Sequence, residues 1–213
     1  MAKLPNIEYA GDFAKYVEAS DSKYDCISFY KPADYFSISE SYNKFIKAVE
    51  KTVRTVPDYK AFINYVTSVI GIDFCQVSSQ IYSCDATIEM HHGPLLTLWD
   101  YVSVILNSEI DKGHKISTFR IADKVIQEHF DLRVQVVMLA KTNHEAVHNR
   151  DIFLNVRQGF GDVGAFIDKY QKYFGDTLRY RIVKYLDICK DTDSFDNNLF
   201  DTEKIEKIVR KEF

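Results

Sequence analysis

The stretch VQVVMLAKTNHEAVHNR, Val134 to Arg150, changes its hydrophobic period partway along, and that change decides the fold class. Its first half, Val134 to Leu139, is a short apolar run rich in valine and reads as a strand. Its second half, Asn143 to Arg150, reads as a helix, with Thr142 or Asn143 near its N-cap and His144 and His148 four residues apart on one face.

Working outward, residues 72–90 alternate β-branched and aromatic side chains (Ile72, Phe74, Val77, Ile81, Tyr82, Ile88) with Ser and Cys, which predicts a hairpin or two short strands ended by Gly93-Pro94. Between this segment and Val134 lie two predicted helices. One runs from Thr97 to Ile110 with Thr97 as N-cap and Trp99 in its core face, the other from Ser117 to Phe130 with Ser117 as cap. Both flanks are helical. Tyr42, Phe45, Ile46, Val49, Val53 and Val56 recur at three-and-four spacing; Pro57 then starts a second helix, stopped by Gly71. Val163, Phe166, Ile167, Tyr170 and Phe174 make one C-terminal stripe, and Leu178, Ile182, Leu186 and Cys189 another. A polar loop, 191–198, precedes a terminal helix with Ile205, Ile208 and Val209. The expectation is an α+β fold, mostly helical with a small β-hairpin, organised as an N-terminal helical region 1–71, a central region 72–157 and a C-terminal helical region 158–213.

The 213 residues carry a net charge of −4, so there is no whole-molecule attraction to polyanions. Between Lys112 and Arg157, eight basic residues face five acidic ones, about +3 locally, and Lys141, Arg150 and Arg157 flank the helical histidines as candidate phosphate contacts. No apolar run approaches the roughly 18 residues of a membrane span, and the start has no apolar signal core; the expectation is a cytoplasmic protein without a membrane partner. Cys26, Cys75, Cys84 and Cys189 form no C-x-x-C pair and read as small buried apolar residues.

All six histidines fall between positions 91 and 148. His144 and His148 share a helix face and can share a cation. A regular strand points His91 and His92 to opposite faces, so one would ligate and the other stay free as a base, unless a break at Gly93-Pro94 distorts the strand. His114 reads as a loop residue and His129 as helix surface.

Glu89-Met90-His91-His92-Gly93-Pro94 together with residues 137–148 resembles the HNH (ββα-metal) nuclease motif in its colicin-type His-His form, a type common in bacteriophages. The resemblance makes residues 72–157 a ββα-metal region with a helical insertion. It implies His91, His144 and His148 as ligands of one divalent ion (Mg, Mn, Ni or Zn), His92 as general base and Glu89 as the bracing acid. Gln135 stands where the family has its central Asn. The function so implied is a metal-dependent endonuclease that hydrolyses DNA phosphodiester bonds, located in the host cytoplasm if phage-encoded. The alternative is a phage structural or assembly protein that retains a non-catalytic metal site and meets a protein partner through its helical flanks. The acidic balance and the 14 Tyr and 15 Phe point that way.

Overall fold

The structure is a computed structural model that describes residues 30–191 and Val209. Cys26, Ile205, Ile208 and the loop 192–198 lie outside the described residues. Within them are seven α-helices and one two-stranded antiparallel sheet, an α+β arrangement. The helices are α1 (Ser39–Thr55), α2 (Pro57–Asn64), α3 (Leu98–Asp111), α4 (Thr118–Phe130), α5 (Lys141–His148), α6 (Val163–Tyr170) and α7 (Asp176–Asp191). The strands are β1 (Ile88–His92) and β2 (Val136–Ala140).

Local rules account for the boundaries. Val56 is extended (ψ 147°), as a residue before proline must be, and Pro57 opens α2 where its missing N–H costs nothing. Thr97 caps α3 in a reciprocal capping box: its hydroxyl accepts from the Asp100 N–H at 3.4 Å, and Asp100 Oδ2 accepts from the Thr97 N–H at 2.7 Å. Ser117 accepts from the Arg120 N–H at 3.2 Å and opens α4. After α2 the chain continues in a π-turn (Tyr65–Val69) and leaves it at Gly71, whose φ of +82° a side chain would resist. α5 begins at Lys141 with Ala140 at its N-cap, two or three residues ahead of the expected Thr142 or Asn143 cap.

α3 is buried on most of its circumference, with Leu98, Tyr101, Val102, Val104, Ile105 and Leu106 inside. α1 and α2 pack on α4, and α1 and α6 pack on α3. One apolar core runs from Phe45 in α1 through Val163 and Phe166 in α6 to Leu186 in α7 and Val209. A second, smaller cluster gathers Cys75, Val137, Leu139, Ala140 and Leu154.

β2 lies between the two clusters. All five of its residues are buried; Val136 and Met138 face the main core, and Val137 and Leu139 face the small one, as strand alternation requires. Its hydrogen-bonding edges are covered. β1 pairs along one, and Gln76 and Phe160 close the other: Met138 N–H donates to Gln76 Oε1 at 2.7 Å, and Val136 and Phe160 exchange two bonds of 2.8 Å.

The segment upstream of β1 differs from expectation. Residues 72–87 hold no regular strand, only an isolated bridge between Phe74 and Tyr82; the single residue Gln76, through its backbone N–H and its side chain, meets β2 at Met138. The sheet partners come from positions 48 residues apart in their paired centres, Met90 and Met138, so β1 and β2 are joined through α3 and α4 and form no hairpin. Cys75 and Cys189 are buried as expected, but Cys84 is exposed.

Candidate metal centre

The register of the sheet decides what the histidines meet. His91 pairs with Val137 and Glu89 with Leu139, so both sit on the face that carries the small cluster. α5 covers that face, with Val147 against the cluster, and its i, i+4 residues His144 and His148 lie over His91. The three rings form a near-equilateral triangle: centroids are 5.1 Å apart for His91–His144 and His91–His148, and 4.6 Å for His144–His148. One ring nitrogen from each lies within 4.8 Å of the other two. His91 and His144 are half-buried and His148 is exposed, so the cluster opens at the surface.

Protons in the cluster follow from its hydrogen bonds. Glu89 Oε2 lies 2.6 Å from His144 Nδ1 and accepts its N–H, which turns the ring's Nε2 into the triangle. His148 Nε2 approaches that nitrogen at 3.0 Å. Burial, and then the neighbouring imidazoles His144 and His148, push the pKa of His91 down to about 4, so its ring is neutral near pH 7. Gly93 makes room beside it; a Cβ there would sit 3.1 Å from His91 Nε2. Three imidazoles with one carboxylate behind them form a donor set that fits a divalent ion of the nitrogen-binding kind.

His92 does not join them. It pairs with Val136 on the main-core face and is 7% exposed. Its Nε2 lies 3.0 Å from His129 Nε2; because His129 Nδ1–H donates to the Val125 carbonyl at 2.7 Å, neutral His129 accepts from His92. Tyr59 stacks on His92 with ring centroids 5.9 Å apart, and Phe62 packs edge-on against His129 at 5.1 Å. The expected general base is thus a core residue, because strand alternation sends it to the face opposite His91. His129, expected on a helix surface, is fully buried. The signal was present: Ala122, Val125, Ile126 and His129 continue one helical stripe.

The expected phosphate contacts are dispersed. Lys141 and Arg150 stand exposed at opposite ends of α5, Arg150 in a left-handed conformation (φ +67°), and Arg157 is half-buried in the next 3-10 turn. His114 is a loop residue, 2.9 Å from Glu109. Gln135 is buried, donating through Nε2 to the Val156 carbonyl at 2.8 Å while its own N–H donates to Tyr101 Oη at 2.9 Å. It braces the β2 entry and the turn at Val156 rather than the histidines.

Comparison with known families yields a match over residues 6–212 to a family model described as bacteriophage G278-like virion protein. No curated protein and no solved structure matches. The match corrects the nuclease reading: it spans nearly the whole chain and belongs to a virion protein family, whereas no HNH nuclease model matches. The HNH resemblance rested on two short segments, and a strand histidine facing an i, i+4 pair is a local arrangement that a two-stranded sheet under one helix turn can produce without that ancestry. Among the described residues, no helix is long and apolar enough to cross a membrane.

Proposed function

Since the chain belongs to the bacteriophage G278-like virion protein family, we propose that it is a structural component of the phage particle, held in place by contacts with neighbouring proteins. The family match over residues 6–212 carries this reading. The body of the molecule is suited to it: one apolar core joins α1 to α4, α6 and α7, and both helical flanks leave large apolar side chains at the surface, among them Ile38 before α1 (61% exposed), Val69 after α2 (71%) and Tyr180 in α7 (59%). Such residues supply contact points for other proteins without opening the core.

A divalent ion at His91, His144 and His148 then serves the fold. It would pin both turns of α5 to β1 and so hold the surface layer onto the sheet. The support is the convergence of three imidazole nitrogens with Glu89 behind one of them.

The experiment is composition analysis of phage particles purified on a density gradient and washed in high salt. The chain is expected at a fixed copy number in washed particles. Its absence, or its complete release by the salt wash, would sink the structural role.

A further inference from the structure

We infer that the cluster of His91, His144 and His148 selects a zinc-class ion over Mg²⁺ and Ca²⁺, with Glu89 as the residue that positions His144 for it. The inference rests on the reading of this cluster as a metal site and adds which ions it admits and by what means.

The donor set discriminates. Among the described residues the set that could hold an ion is made of three imidazoles, with no carboxylate in it. Mg²⁺ demands near-octahedral oxygen ligands and Ca²⁺ takes six to eight of them, so three ring nitrogens offer either ion little. Zn²⁺, Ni²⁺, Co²⁺ and Cu²⁺ bind imidazole well, and at a shared site the order of affinity runs Mn²⁺ < Co²⁺ < Ni²⁺ < Cu²⁺ > Zn²⁺. Zinc binds imidazole nitrogen at about 2.0–2.1 Å, which places ligand nitrogens of a tetrahedral site about 3.3 Å apart. His144 and His148 Nε2 already stand 3.0 Å apart, and the whole set lies within 4.8 Å, so small side-chain rotations bring the three nitrogens to that spacing. Three protein donors leave the fourth position to a ligand from outside the set.

Glu89 lies beside the cluster, and its carboxylate is spent on a histidine. By accepting the Nδ1–H of His144 at 2.6 Å it orients that ring and directs its Nε2 into the triangle. This carboxylate–imidazole pair favours an ion that binds through nitrogen.

The test uses the full chain, stripped with a chelator and titrated separately with Zn²⁺, Co²⁺, Mn²⁺, Mg²⁺ and Ca²⁺ by calorimetry. One equivalent of Zn²⁺ should bind, millimolar Mg²⁺ or Ca²⁺ should give no saturable heat, and Co²⁺ should develop the intense visible bands of four-coordination. H148A, which alters an exposed side chain, should abolish Zn²⁺ binding while the circular dichroism spectrum of the stripped protein is unchanged. E89Q should weaken Zn²⁺ about 10- to 100-fold and shift the Co²⁺ bands, with the melting temperature of the stripped protein unaltered. Mg²⁺ or Ca²⁺ binding at least as tightly as Zn²⁺ would overturn the selectivity and leave the metal site standing. Unchanged Zn²⁺ affinity in E89Q would remove Glu89 from the account. No saturable binding of any ion would overturn the metal site itself.

Discussion

His91 and His92 are consecutive in the chain, yet their rings occupy opposite faces of β1: His91 lies 5.1 Å from both His144 and His148 under α5, and His92 Nε2 lies 3.0 Å from His129 Nε2 in the main core. The two histidines should therefore fail in different ways. His92→Ala opens a cavity and strips His129 of its donor, at a cost of about 3 kcal/mol. H148A, at an exposed position, should cost within about 0.5 kcal/mol in chelator. Urea unfolding of both variants in chelator checks this; equal destabilisation would contradict the two-faced strand.

Metal removal should lower stability through the cluster alone. An ion supplied at about one hundred times its dissociation constant adds about 2.7 kcal/mol to the folded state, a rise of roughly 5–11 °C in melting temperature for a chain of this size. Differential scanning calorimetry with Zn²⁺ and with chelator should show that shift in the parent and none in His144→Ala. A shift of the same size in the variant would place the ion elsewhere.

Mild acid should weaken the fold through His129. Burial holds its pKa down at about 4, against the opposing pull of the Val125 carbonyl and the Glu128 charge. An unfolded histidine titrates near 6.5. Above that value both states are neutral and the full stability is present. As pH falls from about 6.5 to about 4, the unfolded chain takes up a proton that the folded one refuses, and stability drops by about 1 kcal/mol per pH unit near pH 5. Denaturation curves at pH 7, 6 and 5 should show a shallower decline in His129→Leu than in the parent. Parallel declines would mean that the ring is not held neutral.

Glu128 should act in a lower window. Burial raises its pKa, but hydrogen bonds from Arg133 Nε (2.5 Å), Lys169 Nζ (2.6 Å) and Tyr170 Oη (2.9 Å) outweigh that and leave it below the ordinary carboxylate value. A depressed carboxyl contributes stability that is complete above about pH 4.5 and is lost as pH falls through its folded pKa. Glu128→Gln should be less stable than the parent at pH 7, with the gap narrowing below pH 4.5 in the same unfolding assay. A gap independent of pH would assign the loss to shape rather than charge.

Gly161 has no room for a side chain. Its φ is +109°, and a Cβ would fall 2.2 Å from the Val134 carbonyl oxygen, beside the Val136–Phe160 bridge. Gly161→Ala should cost roughly 3 kcal/mol or more, because backbone must move. Gly113 has a similar sign of φ (+67°) but nothing within 4 Å, so Gly113→Ala should cost only about 1–2 kcal/mol. Thermal melts of the pair separate close approach from backbone strain.

Much of the helical scaffold could be read along the chain, because its causes are local. Thr97 and Ser117 cap the helices they precede, Pro57 separates α1 from α2, and the three-and-four spacing of Phe45, Ile46, Val49 and Val53 marks a buried stripe. Four-residue spacing likewise sets His144 and His148 side by side on one helix face. Segment 72–87 misled because β-branched residues suit any half-buried extended chain, whereas a strand needs a partner edge, and Gln76 and Phe160 share that edge of β2, one residue each. The pairing of Met90 with Met138, across two intervening helices, follows from how the cores close and not from any neighbouring residue. That pairing sets which side of β1 meets α5. From it follow the company His91 keeps, the burial of His92 against His129, and the replacement of a base beside an ion by two separate histidine groups.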